Sequence, residues 1–127
     1  MCIMPITIAR TAAGSCSPAG AGGRFSNSNA QARIGSNVFS SGTRDEVGNL
    51  SHGSNTILYV GKLFTSDPAG NYDRFSYTIN PTTLVEPVWD YTAEFDTGLN
   101  AVDTLWFRAG GEANSDFAVD MLRVGTN

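Results

Sequence analysis

Charged side chains are scarce in this sequence. Asp, Glu, Lys and Arg make up 16% of the 127 residues, whereas they make up about a quarter of an average soluble domain. The eight Lys and Arg residues are scattered singly, and the net charge is −4. Proteins that bind nucleic acids normally carry a clustered basic patch. The sequence therefore predicts no nucleic-acid partner, and it disfavours an anionic membrane surface for the same reason.

Histidine and cysteine, the residues of many catalytic and metal sites, are also rare. His52 is the one histidine, and it lies in a polar loop segment where a solvated side chain is expected. Cys2 and Cys16 match no zinc or redox spacing. They are either incidental thiols or a disulfide that closes a small loop and stabilises little. With no G-x-S-x-G elbow and no apolar run near the ~18 residues of a membrane span, the sequence predicts neither an enzyme nor a membrane-spanning chain.

Helical periodicity is missing as well. No stretch of about 12 residues carries apolar side chains at the i, i+3, i+4 and i+7 spacing of an amphipathic helix. The chain is instead rich in Ser, Thr, Asn and Gly, with 14 glycines, which suit short strands joined by tight turns. Its length fits one domain. We therefore predict an all-β fold, either a sandwich or a barrel.

Four segments carry the clearest strand patterns. Residues 56–64 form a continuous apolar run, typical of a strand covered on both faces, and Gly61 within it indicates a bulge or a close backbone approach. Residues 73–80 alternate between apolar and polar side chains, which predicts a half-buried antiparallel strand. Residues 103–109 and 116–124 predict the last two strands.

The rest of the chain has weaker patterns. Residues 1–23 contain a stretch of Gly, Pro and other small residues and predict an irregular lead-in, so that the domain itself spans residues 24–127. The remaining predictions are short strands at 24–26 and 32–35, a turn-rich segment at 36–55 with a weak strand at 37–39, and a long connection at 82–102.

Aromatic residues in the second half are candidates for ligand binding. Trp89, Tyr91 and Trp106 are the residues on which a sugar could stack. Trp106 alternates away from Leu105 and Phe107, so it lies on the opposite face of its predicted strand. The alternative for each of the three aromatic residues is ordinary packing in the core.

Oxygen-bearing side chains cluster before the strand predicted at residues 73–80. Asp67, Asn71 and Asp73 stand close together there, and Ca²⁺ takes several oxygen ligands from a loop. These three residues are therefore candidate calcium ligands, and the sequence predicts no other cofactor. The alternative is that they form turns, because Asp and Asn side chains bond to nearby backbone groups.

Two further carboxylates raise the question of catalysis. Glu94 and Asp96 would share one face of a strand, and glycoside hydrolysis requires a pair of carboxylates. Some jelly-roll glucanases carry the pattern E-x-D-x-x-E on a strand, but the third acidic position of that pattern is Leu99 here. The residues around Glu94 and Asp96 are also typical of a loop. Catalysis at this pair is the least favoured of the functional hypotheses.

Three stretches carry a resemblance to a known family. Residues 56–64 contain Val-Gly-Lys within an apolar strand, residues 73–81 alternate and end in Asn-Pro, and residues 117–126 end in Arg-Val-Gly-Thr. Together they resemble the LamG-like jelly-roll domains, of the concanavalin A-like lectin and glucanase type, in bacterial exported proteins that carry PEP-CTERM sorting signals. One departure is Met121, where the family has an acidic residue.

The resemblance implies both a fold and a setting. The fold would be an antiparallel two-sheet jelly-roll sandwich over residues 24–127, truncated on its N-terminal side because residues 1–23 do not resemble the family's first strands. The setting would be extracellular or at the bacterial cell surface. We expect a non-enzymatic binding or adhesion module with polysaccharide or cell-surface glycan as its ligand. The alternatives are a purely structural domain of a larger surface protein and a glucanase-type hydrolase.

Overall fold

The computed structural model of the chain describes residues 4–10, 18–26, 28–53, 55–83, 85–107, 119 and 123–125. These residues contain eight β-strands. The strands are β1 (Met4–Arg10), β2 (Ala19–Phe25), β3 (Asn29–Gly35), β4 (Arg44–Ser51), β5 (Tyr59–Phe64), β6 (Arg74–Ile79), β7 (Tyr91–Glu94) and β8 (Thr104–Phe107).

The strands form two antiparallel sheets that face each other. The large sheet has the order β4-β3-β2-β1-β8, and the small sheet has the order β5-β6-β7. Across the interface β5 contacts β2, β6 contacts β3, and β7 contacts β3 and β4. With no helix among the described residues, this is an all-β sandwich, as the sequence predicted. The jelly-roll connectivity and the N-terminal truncation stay predictions.

Nothing in the described part of the chain resembles a transmembrane helix. No helix there has the length and the apolar composition that a bilayer crossing needs. The prediction of a chain without such a helix agrees with this finding.

The core between the sheets pairs small side chains with aromatic rings. Strands β2 and β3 contribute mainly alanines, and β6 contributes Phe75 and Tyr77. Alanines on one sheet leave the room that the two rings on the other sheet fill. The buried residues of this core are Ala21, Ala30, Ala32, Ile34, Phe75, Tyr77 and Ala93.

A β-bulge between β3 and β4 shapes the middle of this core. Ala30 pairs with Leu50 and Ala32 pairs with Val47, so β4 carries one extra residue. Gly48 lies in the bulge with a φ of +83°, a conformation that favours glycine.

Residues 1–23 are not an irregular lead-in where the structure describes them, so that prediction is wrong. Strand β1 pairs with β2 along its whole length, and β2 continues without a break through residues 23 and 24. A Cβ on Gly23 would come 2.9 Å from the ring of Tyr59. Gly23 therefore reflects close packing between the sheets rather than a loop. Residues 11–17 lie outside the described residues.

Two strands lie where the sequence predicted turns or a connection. Strand β4 falls within residues 36–55, and β7 falls within residues 82–102. Both are edge strands with polar sequences. Because they lack an alternation of apolar and polar residues, contacts with neighbouring elements stabilise them. Residues 37–39 belong to a turn rather than a strand.

Strands β5, β6 and β8 lie where the sequence predicted strands. The close backbone approach at Gly61 is confirmed, because a Cβ there would come 2.5 Å from the ring of Phe75. Strand β6 is not half-buried, however, since Ser76 and Thr78 are buried on its outer face. The Thr78 hydroxyl donates to Asp90 Oδ2 at 2.5 Å, so the β6–β7 connection (residues 80–90) covers that face. Most of the last predicted strand, residues 116–124, lies outside the described residues.

Candidate functional site

A row of four aromatic rings crosses the core and ends at the surface. Phe25 packs edge-on against Tyr59 with ring centroids 5.0 Å apart. Tyr59 stacks on Tyr77 at 5.3 Å, and Tyr77 stacks on Tyr91 at 5.9 Å. Tyr91 begins β7 and keeps 42% of its surface exposed. The face of the Tyr91 ring that stacks on Tyr77 is therefore fixed by the core, while much of the remaining surface of the ring is exposed to solvent. We call these four residues the aromatic row.

Backbone carbonyls of β3 hold the buried part of the aromatic row in place. The Tyr77 hydroxyl donates to the carbonyl of Ala30 at 2.8 Å, and the Tyr59 hydroxyl donates to that of Gln31 at 3.4 Å. Burial raises the pKa of Tyr77 to about 12 and raises the pKa of Tyr59 well above its usual value. Both rings are thus neutral hydrogen-bond donors near pH ~7.

Trp89 precedes Tyr91 by two residues and is held by a different set of contacts. Its indole Nε1 donates to Glu86 Oε1 at 3.2 Å, and the same oxygen pairs with Lys62 Nζ at 2.9 Å. The hydrogen bonds from Lys62 and then from Trp89 lower the pKa of Glu86. Because Lys62 belongs to β5, these bonds fasten the β6–β7 connection across the small sheet. Trp89 is half-buried, and its neighbour Val88 is exposed.

Trp106 lies far from the other two predicted aromatic residues. Trp106 belongs to β8, the strand that ends the large sheet opposite β4, and its backbone pairs with that of Thr7 in β1. Tyr91 lies on β7, which packs over β3 and β4. Four strand spacings separate β4 from β8, a distance of about 19 Å. Trp89 bonds with Glu86, which pairs with Lys62 of β5, whereas Tyr91 stacks on the core ring of Tyr77. The three predicted residues therefore do not form a single platform.

Asp73, a predicted calcium ligand, makes several bonds within the protein. Its Oδ1 accepts from the backbone N–H of Ser66 at 2.8 Å, and its Oδ2 accepts from the Ser66 hydroxyl at 2.5 Å. Arg74 Nη1 lies 3.2 Å from the same Oδ2. The two hydrogen bonds from Ser66 lower the pKa of this carboxyl. The side chain thus ties the start of the β5–β6 loop to its end.

The other two predicted calcium ligands also bond within the protein, Asp67 in a turn and Asn71 to a distant side chain. Asp67 Oδ1 accepts from the N–H of Ala69 at 3.0 Å, and the Asn71 amide donates to Asp96 Oδ1 at 3.1 Å. Side-chain bonds to backbone two residues ahead are what turn-forming Asp residues make. In the described part of the chain, no three His, Cys, Asp or Glu residues form a group that could hold a metal ion. This geometry favours the turn role, and calcium binding stays a prediction.

Glu94 and Asp96 are bound to different partners. Glu94 Oε1 lies 3.4 Å from Arg74 Nε, on the surface of the small sheet. Asp96 follows the end of β7, and its Oδ1 accepts from the N–H of Gly98 at 2.8 Å. A pair of hydrolytic carboxylates would flank a common bond. The structure instead uses one carboxylate in an ion pair and the other in a turn.

Sequence analysis missed a cluster of arginines on the large sheet. Arg24 Nη1 lies 3.1 Å from Glu46 Oε1, Arg44 Nη2 lies 3.6 Å from Oε2, and Arg33 also bonds to Oε2. Arg33 is buried, and this burial lowers its pKa. These arginines look scattered along the chain and converge only through strand register, in which Arg33 pairs with Glu46. No single-segment motif could have revealed them.

His52 differs from the expected solvated histidine. Both of its ring nitrogens are buried, and no described atom bonds to them. Its backbone N–H donates to the carbonyl of Ser28 at 2.7 Å, which fastens the end of β4 to the turn before β3. Cys2 and Cys16 lie outside the described residues.

The resemblance to LamG-like domains rests on three stretches of sequence, residues 56–64, 73–81 and 117–126. The function of the chain has to be argued from the aromatic row and its surroundings. The chain matches no protein-family model, no curated protein and no solved structure.

Proposed function

We propose that this chain is a non-enzymatic extracellular binding module with glycan as its ligand class. One observation carries the proposal: Tyr91 is stacked on the buried Tyr77, yet 42% of its surface is exposed. A partly exposed aromatic ring that is already immobilised loses little conformational entropy when a ligand stacks on it.

The exposed part of the Tyr91 ring suits the apolar face of a sugar. A pyranose ring offers C–H groups on one face, which stack on an aromatic ring, and hydroxyls at its rim. Asp90 and Thr92 do not line this ring, because their side chains bond to Thr78 and Ser76 on the outer face of the small sheet, whereas Tyr91 stacks on Tyr77 on the inner face. The proposal therefore rests on the Tyr91 ring itself.

The bonds of the acidic residues favour binding over hydrolysis. Glu94 is paired with Arg74, and Asp96 supports a turn. Neither carboxylate has a second carboxylate among its described partners. The extracellular setting is supported by the low charge, the acidic balance and the resemblance to exported bacterial proteins.

The test is a glycan array with polysaccharide pull-downs, run on the wild-type chain with calcium and with a chelator. Tyr91→Ala should weaken binding about five- to 150-fold, if a stacked sugar gains the same about 1–3 kcal/mol from an aromatic ring as a stacked nucleic-acid base does. Tyr91→Phe keeps the ring and should retain binding. Val85→Ala removes an exposed apolar side chain of the same connection and is the matched control. Loss on chelation would assign calcium to Asp67, Asn71 and Asp73.

A purely structural domain is the second candidate, favoured by the internal bonds of the same residues. Tyr91 closes the aromatic row, and Trp89 binds Glu86. On this hypothesis a folded wild-type chain binds no glycan, and Tyr91→Ala lowers only the free energy of unfolding. Circular dichroism of every variant distinguishes a lost ligand contact from a lost fold.

A further inference from the structure

Residues 85–89 form a strap across the outer face of the small sheet. Glu86 Oε1 lies 2.9 Å from Lys62 Nζ of β5, whereas the N–H of Asp90 donates to the carbonyl of Tyr77 of β6 at 3.1 Å. The order of the sheet is β5-β6-β7. The chain between the two points of attachment therefore crosses from one edge of the sheet to its central strand.

The strap lies over polar side chains. Ser76 and Thr78 of β6 are buried on the outer face, with 2% and 4% of their surfaces exposed. The Ser76 and Thr92 hydroxyls are 2.6 Å apart, and the Thr78 hydroxyl donates to Asp90 Oδ2. These hydroxyls bond to partners in β7 or next to it and make no bond to the strap. Covering polar groups of this kind gives the strap little hydrophobic stabilisation.

The apolar side chains of the strap itself face mainly outward. Val85 is 81% exposed and Val88 is 89% exposed. Pro87 and Trp89 are half-buried. Because stabilisation scales with the apolar area removed from water, the two valines contribute almost nothing to holding the strap in place.

One ion pair is the polar attachment between the strap and the sheet. Among the residues that the structure describes, Lys62–Glu86 is the only hydrogen bond or ion pair that joins residues 85–89 to a strand. The Trp89 indole donates to Glu86, and the N–H of Val85 donates to the Thr83 hydroxyl, so both bonds stay within the connection. The Lys62 and Glu86 side chains are partly exposed, so dissolved salt screens their attraction.

The chain on either side of the strap is fixed more firmly. Before it, the N–H of Asn80 donates to the carbonyl of Leu58 at 2.7 Å, and Asn80 Oδ1 accepts from the N–H of Leu58 at 2.8 Å. After it, Asp90 bonds to Tyr77 through its backbone and to Thr78 through its side chain. Strands β6 and β7 can therefore remain paired when the strap moves.

We propose that the strap is a conformational switch that responds to ionic strength: it detaches from the small sheet while the rest of the fold stays intact, and the Lys62–Glu86 ion pair controls this detachment. Segments with few buried apolar contacts open locally at a fraction of the global free energy of unfolding. Detachment exposes the outer face of β6, with Ser76 and Thr78, to solvent. The switch does not depend on glycan binding at Tyr91, because the bonds of Asp90 separate Tyr91 from the strap.

The test follows hydrogen exchange of the Trp89 indole N–H by NMR, in the whole chain at low and at high sodium chloride. High salt should accelerate this exchange in the wild-type chain, while the backbone amides of β6 keep their protection. Glu86→Gln removes the charge and keeps an oxygen acceptor. It should accelerate the exchange about two- to fivefold at low salt and abolish the response to salt.

Glu94→Gln is the matched control. It breaks the exposed ion pair with Arg74 on the same sheet, outside the strap, and should leave the Trp89 exchange unchanged. Equal effects of the two variants, or no effect of Glu86→Gln, would overturn the proposal. So would loss of β6 protection together with that of Trp89, because the strap would then open only when the fold does. If Glu86→Gln does not fold, the wild-type chain decides, since exchange that does not respond to salt contradicts the switch.

Discussion

The phenolic oxygen of Tyr77 lies in the space where a side chain on residue 48 would be. A Cβ on Gly48 would come 2.1 Å from that oxygen, far inside van der Waals contact. Gly48 also has a φ of +83°, which non-glycine residues rarely adopt. The bulge thus requires glycine for two separate reasons, its backbone conformation and the position of the Tyr77 hydroxyl.

Gly48→Ala should lower the free energy of unfolding by about 2–5 kcal/mol, the sum of left-handed strain and overpacking. Gly42→Ala is the matched control, because Gly42 has a φ of +85° with nothing within 4 Å of its Cβ position. The control should show only the strain, about 1–2 kcal/mol. Urea denaturation measures both, and equal losses would contradict a role for the Tyr77 hydroxyl.

Tyr77→Phe should lower the free energy of unfolding by about 1–3 kcal/mol, because it leaves the buried carbonyl of Ala30 without its donor. Tyr59→Phe should cost less, since the Tyr59 hydroxyl is 3.4 Å from its acceptor instead of 2.8 Å. In the Gly48→Ala background, Tyr77→Phe should recover part of the lost stability by relieving the overlap. A double-mutant cycle checks this, and strict additivity would count against the contact.

Alkaline pH should destabilise the fold through the same tyrosine. Burial raises the pKa of Tyr77 to about 12, and the unfolded chain titrates near pH ~10. The fold favours the neutral ring, so this stabilisation is full below pH ~10 and is lost as the pH rises through about 12. Denaturation midpoints measured across that window should fall, and they should fall less steeply in Tyr77→Phe. Tyr59, whose pKa is also raised, accounts for the slope that remains.

Glu46→Gln should lower the free energy of unfolding by about 2–4 kcal/mol, because the buried Arg33 guanidinium loses its carboxylate. Glu86→Gln provides a control on the surface, where the pair with Lys62 is solvated. Its effect should be much smaller than that of Glu46→Gln, because water and salt screen an exposed ion pair. Salt titration adds a second readout, since the Glu46 effect should persist at an ionic strength that removes the Glu86 effect.

Asp45→Ala should open the β7 edge of the small sheet, where Asp45 Oδ2 accepts from the N–H of Glu94 at 2.9 Å. The backbone N–H of Glu94 would lose its acceptor, at a cost of about 1–2 kcal/mol, and an unprotected β7 should promote self-association. Asp45→Asn keeps a side-chain oxygen and should associate no more than the wild-type chain. Sedimentation velocity at several protein concentrations distinguishes the two, and similar behaviour of both variants would contradict a capping role for Asp45.

Strands β5 and β6 were predictable because their own residues specify them. Each has an apolar run or a clear alternation, bounded by Asn, Asp, Gly or Pro at its ends. Strand β2 was not predictable, because Gly23 and its neighbours are typical of a loop until the ring of Tyr59 is placed against them. Tertiary contact decides the conformation of such a segment, whatever its intrinsic preference.

The candidate site was predictable only in part. Tyr91 and Trp89 could be named from composition, but sequence alone does not reveal which ring is immobilised and which is half-buried. Trp106 looked equivalent to them because its distance from β7 depends on the order of five strands.

The aromatic row also makes the protein its own optical reporter. Its three tyrosines have ring centroids 5.3 Å and 5.9 Å apart, so electronic excitation is shared along the row from the core to the surface. A ligand that stacks on Tyr91 would alter the surroundings of one end of the aromatic row. Near-ultraviolet circular dichroism of the unlabelled chain, which senses coupling between fixed aromatic rings, should therefore register an event at the surface through chromophores in the interior.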